Sequence, residues 1–93
     1  MLMYTGKFSI EPSERESFLE FAREMVVAER KVAGCIGFDV YEDILTPNTF
    51  LLVEQWEDEA SLEAHTETDE YADYDDTLNN YVTGEPIWEE YEF

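Results

Sequence analysis

Residues 49 to 57 constrain what this chain can fold into more than any other stretch. Phe50, Leu52, Glu54 and Trp56 share one face of a period-two pattern, and Leu51, Val53 and Gln55 share the other. A strand with one wet face alternates apolar and polar residues, whereas a strand apolar on both faces has to be covered on both. These residues therefore belong inside a sheet, with helices on one side and a further apolar surface on the other.

The flanking sequence supplies both layers. Residues 2 to 10 alternate, with Leu2, Tyr4, Phe8 and Ile10 on one face and Thr5, Lys7 and Ser9 on the other. Glu11-Pro12 stops this first strand, and Ser13-Glu14-Arg15-Glu16 has the form of a capping box. A helix is predicted from there to about Val32, with a stripe of Phe18, Phe21/Ala22, Met25/Val26 and Val32, acidic residues on its solvent side, and Gly34 as its stop. The second strand is read over Cys35 to Tyr41 with Ile36, Phe38 and Val40 on one face, and Asp43 to Thr49, containing Pro47-Asn48, as a hairpin connection. Two short helices fit 58 to 66 and 69 to 80, the latter with Tyr71, Tyr74, Leu78 and Tyr81 at helical spacing. Gly84-Glu85-Pro86 ends that region, and Ile87 to Phe93 is the last strand. The order β-α-β-β-α-β is that of a ferredoxin-like α+β protomer, an antiparallel sheet with helices on one face. Residues 1 to 93 read as one domain. The apolar outer sheet face calls for a second copy, as a two-fold homodimer.

Charge narrows the setting. Twenty-four acidic against five basic residues give a net charge of −19, and Lys7, Arg15, Arg23, Arg30 and Lys31 all lie in the first third. A small domain ordinarily carries a magnitude of about 2 to 8. Such a field repels itself at low ionic strength and is screened in brine, so it points to the salt-rich cytoplasm of a halophilic microbe. Phosphate backbones and anionic membranes are repelled, which argues against nucleic-acid and membrane partners. A single cysteine, Cys35, fits a reducing compartment. No stretch has the length of a membrane span, and Met1-Leu2-Met3-Tyr4 lacks a signal peptide's basic flank and apolar run. A cytoplasmic location is the expectation.

Three residues stand out for chemistry. His65 is the only imidazole, nine residues after Trp56, and no other side chain is an ordinary acid or base at neutral pH. It is either a packing or capping histidine or a proton acceptor in a pocket. Glu54, a carboxylate in the middle of an apolar strand face, either anchors a hydrogen bond or lines a wet pocket. Trp56, on the same face, is core or a flat wall with an N–H donor. Metal binding finds no ligand spacing: the acidic run from Glu67 to Asp76 lacks the glycine and terminal glutamate of a calcium loop. There is no phosphate loop, dinucleotide fingerprint or serine elbow, so no cofactor is implied.

The segments Val32-Ala33-Gly34-Cys35-Ile36-Gly37-Phe38-Asp39-Val40-Tyr41, Phe50-Leu51-Leu52-Val53-Glu54-Gln55-Trp56 and Leu62-Glu63-Ala64-His65-Thr66-Glu67-Thr68 resemble the antibiotic biosynthesis monooxygenase domain family, which includes small quinol monooxygenases. The Glu-x-Trp and Leu-Glu-x-His pattern is the most specific part. The resemblance implies a dimeric α+β barrel with an apolar pocket between helices and sheet in each subunit. It also implies oxygenation of a small aromatic phenol or quinol by dioxygen without metal, flavin or haem, with His65, Glu54 and Trp56 as the site. Glu70 stands where many members carry a second histidine, and Thr5, Gly6 and Lys7 where several catalytic members have an asparagine. These departures motivate an alternative, a non-catalytic dimeric module that binds a small molecule or serves in stress.

Overall fold

The alternation that opens the chain becomes the centre of a four-stranded sheet. The computed structural model describes residues 1–93. Strand β1 is Leu2–Ile10, followed by a 3-10 turn at Pro12–Glu14, helix α1 at Arg15–Glu29, β2 at Cys35–Glu42, β3 at Thr49–Trp56, helices α2 at Glu59–Thr66 and α3 at Asp69–Tyr81, and β4 at Val82–Glu92. The sheet order is β2-β3-β1-β4, antiparallel throughout, which is the ferredoxin-like α+β arrangement.

Register sorts the side chains into rows. On the helix-covered face, Phe38 stands opposite Glu54, Glu54 opposite Tyr4 and Tyr4 opposite Glu90. One pleat along, Val40, Leu52, Gly6 and Trp88 form the next row. The core is Phe8, Ile10, Phe18, Ala22, Met25, Phe38, Phe50, Leu52 and Leu78. Within it the Phe18 ring lies 4.8 Å from Phe50 and meets Tyr81 edge-on at 5.5 Å. On the other face, Tyr41, Leu51, Lys7 and Ile87 cross all four strands in one row. Leu51, Tyr41 and Ile87 are exposed there, so the apolar second face read from the sequence is uncovered in the protomer.

Several local expectations are corrected. The capping box does not form: Ser13 lies in the 3-10 turn, Glu14 is the cap residue of α1, and no side chain caps either start. The proline at the first position of that turn takes over the work of starting the helix. Helix α1 ends at Glu29 instead of Val32, and a separate turn, closed by the Cys35 N–H donating to the Val32 carbonyl, carries Gly34 at φ +85°. A bulge between Cys35 and Gly37 then rotates Ile36 outward to 55% exposure, and Cys35 takes the inward position opposite Trp56. The last strand begins at Val82, directly after α3, with a register shift opposite β1 absorbing Gly84 and Pro86.

Two arginines tie the helical layer to the sheet. Arg15 holds both Glu42 carboxylate oxygens, at 2.5 and 2.8 Å, and the Asn48 side chain at 2.9 Å, fixing the start of α1 to the hairpin base. Arg30 donates to the Phe38 carbonyl and to Asp39 at the other end.

Candidate active site

A cavity of about 300 Å³ opens between the sheet and the helices, bounded by Tyr4, Leu52 and Glu54 from the sheet and by Glu29, His65 and Tyr71 from the three helices. Trp88 closes one side. Its indole lies over Gly6, where a Cβ would fall 2.0 Å from the ring, so glycine is what lets the tryptophan lie flat on β1.

His65 reaches the cavity from the last turn of α2. That short helix is started by Asp58, whose Oδ1 accepts from the Ser61 N–H at 2.8 Å. The helix expected over 58 to 66 is the one that carries His65. The ring is 5% exposed, stacked on Trp56 with centroids 5.0 Å apart and met edge-on by Tyr71 at 5.5 Å. Its Nε2 lies 2.5 Å from Oε2 of Glu29. Burial lowers the histidine pKa, against the pull of Glu54 and Glu70 in the other direction.

Glu29 is the residue that sequence reasoning missed. The periodicity puts the acids of this helix on its solvent side, yet Glu29 is 3% exposed. The signal was present: Phe18, Ala22, Met25 and Glu29 follow one another at spacings of four, three and four, which is the buried stripe itself. Burial, with Glu70 nearby, raises its carboxyl from 4.5 to about 7. Apart from the short contact to His65, no aligned hydrogen-bond donor reaches Oε2.

The three residues singled out from the sequence do assemble. The Trp56 indole N–H donates to Glu54 Oε1 at 3.1 Å, so strand period two brings donor and acceptor together. Glu54 lines the cavity, and burial raises its pKa while the indole bond partly offsets that. Trp56 itself is fully buried behind His65 and Glu54, and the indole wall of the cavity is Trp88. Tyr71 and Tyr4 have raised pKa values, both mainly from burial. No three histidine, cysteine or carboxylate side chains are placed to hold a metal ion. What the arrangement offers is an apolar slot of one- or two-ring size, at the small end of ligand pockets of about 300 to 1,000 Å³, with a buried base-and-acid group at its wall.

Comparison with known proteins is consistent along the chain. Residues 1–77 match the family described as antibiotic biosynthesis monooxygenase. The chain is 34% identical over 68 residues to "Putative monooxygenase YcnE" of Bacillus subtilis, a match covering 73% of this chain and 72% of that protein. A crystal structure from Deinococcus radiodurans superposes with a TM-score of 0.89 at 23% identity, covering 100% of this chain and 92% of that one. SnoaB, a cofactor-independent oxygenase from Streptomyces nogalater, superposes at 0.85 with 10% identity, over 99% and 91% of the two chains. At such identities the two structures speak for the fold, while the family match and the YcnE relative speak for descent. The chain belongs to the antibiotic biosynthesis monooxygenase family.

Proposed function

We propose that this protein is a monooxygenase that oxidises a quinol or related electron-rich phenol with dioxygen and needs no cofactor. The observation that carries the reading is an apolar cavity whose wall holds a buried histidine beside the buried carboxyl of Glu29 and the half-buried one of Glu54. His65 removes the phenolic proton; the phenolate passes one electron to dioxygen far more readily than the phenol does. The radical pair recombines to a ring hydroperoxide, which loses water to leave a carbonyl at the attacked carbon. One oxygen atom of O2 enters the product and the other leaves as water, so phenol plus O2 balances quinone plus water. Glu54, tied to Trp56, orients the ring of the substrate, and Trp88 and Tyr71 exclude water from the radical pair.

The working form is a homodimer paired through the apolar outer sheet face, in a salt-rich cytoplasm. Oxygen uptake with a panel of quinols at molar salt tests the activity. Wild type turns over, and His65→Ala loses about 100-fold or more, the range of a positioned general base. Equal rates would remove His65 from the chemistry. Binding without turnover across the panel would leave the non-catalytic small-molecule module as the better description.

A further inference from the structure

His65 Nε2 and Glu29 Oε2 lie 2.5 Å apart, too close for both to present bare lone pairs, although no donor in the structure is aligned on that oxygen. The carboxylate oxygen has no other partner, and leaving it unsatisfied in the core would carry its full desolvation cost. With a proton between the two and Glu29 ionised, the imidazole is the Nε2–H tautomer and Nδ1 is the ring nitrogen with a free lone pair. We infer that Glu29 is a positioning residue for His65: the two share one proton through Nε2, and Nδ1 is the atom that accepts the proton of the substrate. This rests on the oxygenase reading for its substrate, but the tautomer and the pairing are properties of the protein alone.

The pair titrates as a unit. When one more proton arrives, the ring becomes an imidazolium beside a carboxylate, or a neutral Nδ1–H ring beside a carboxylic acid. In both descriptions the new proton is on Nδ1, and the base is switched off. The groups facing the pair push in one direction. Glu54 from β3 and Glu70 and Asp75 from α3 are acidic, and no lysine or arginine lines the cavity. Cys35 from β2, Tyr4 from β1 and Tyr71 and Tyr74 from α3 have raised pKa values and stay neutral, and β4 contributes Trp88, which does not titrate. Positive charge generated on His65 is therefore balanced only by Glu29 and its acidic neighbours, and the phenolate forms beside an imidazolium held by a carboxylate.

The chain has one histidine, so a nitrogen-15 imidazole label gives its two ring signals without ambiguity. In wild type at high salt, Nδ1 is expected to lose its proton while Nε2 keeps its share, and one glutamate carboxyl carbon moves with the same midpoint. In Glu29→Gln the ring midpoint falls by about one pH unit or more, because burial then acts without the carboxylate. Oxygen uptake in that variant drops about 100-fold in kcat with KM nearly unchanged. An identical ring titration in both proteins overturns the inference. Should Glu29→Gln fail to fold, the wild-type spectra decide alone: every glutamate carboxyl titrating apart from the ring would equally overturn it. Absence of oxygen uptake by wild type sinks the oxygenase reading and leaves the titration result standing.

Discussion

Glu29 carries the clearest consequence at the scale of a single residue, because its ionisation is linked to folding. Its carboxyl is raised from 4.5 to about 7 in the folded chain. Between those values the folded state holds a proton that the unfolded chain has released, so the stability it contributes below pH 4.5 is lost as pH rises through about 7. His65 has the opposite sign: its lowered pKa makes the folded chain bind fewer protons than the unfolded one, and stability recovers as pH rises to 6.5. In wild type the two titrate together, and their opposed signs partly cancel. Glu29→Gln removes the first contribution, so the variant gains on wild type as pH rises from about 4.5 to 7, by a total of the order of 3 kcal/mol at about 1.4 kcal/mol per unit. Urea titrations at high salt at pH 5 and pH 8 measure this, and a stability difference constant with pH would put the Glu29 carboxyl in the ordinary range. The residue also shows what was legible in the sequence. Glu54 and Trp56 announced themselves because a strand's period is short and a carboxylate breaks it visibly. Glu29 followed the helical stripe just as regularly, but at the end of a helix rich in glutamates its charge looked like solvent-side decoration.

At the scale of elements, strand and helix order, the hairpin at Pro47-Asn48 and the breaks around α2 and α3 were all readable from periodicity and punctuation. What was not readable depends on partners distant in sequence. The bulge that turns Ile36 outward is imposed by pairing with β3, and the fate of the expected capping box by Pro12 drawing Ser13 into a 3-10 turn. Gly34 is an intermediate case: a stop was expected there, and it is a turn after the stop. Its φ of +85° disfavours any Cβ, and a Cβ would lie 2.3 Å from Cβ of Ser61 on α2. This contact sets how closely α2 approaches β2, and thereby where His65 sits. Gly34→Ala is expected to destabilise by about 2 to 4 kcal/mol, the sum of backbone strain and a displaced helix. Adding Ser61→Gly should return the steric part and leave the strain, measured against the cost of Ser61→Gly alone, which is about 1 kcal/mol for glycine in a helix. Full recovery in the double variant would mean that the turn tolerates alanine, and that only the packing demanded glycine.

Across the whole molecule, the exposed outer face and the charge act against each other. Leu51, Tyr41, Ile87 and Tyr91 form an apolar surface on the sheet that a second copy would bury, while a net charge of −19 on each chain opposes the approach. Internal pairing does little to relieve that repulsion, since only Glu42 and Asp39 meet an arginine. Screening is the remaining relief. The Debye length falls from about 10 Å at 0.1 M salt to about 3 Å at 1 M, shorter than most separations between surface carboxylates. Sedimentation in molar salt should therefore give about twice the 10.9 kDa chain mass, with dissociation as salt is withdrawn. The melting temperature should climb steeply from about 0.1 M and bend over near 1 M, where screening is spent. Any rise beyond that point reflects ion binding or salting-out of apolar surface, and sulfate should then outperform chloride at matched ionic strength. A monomer in molar salt would rule out pairing through the sheet. A melting temperature flat across the range would mean that charge repulsion does not limit this fold, and the salt-rich setting would lose its physical basis.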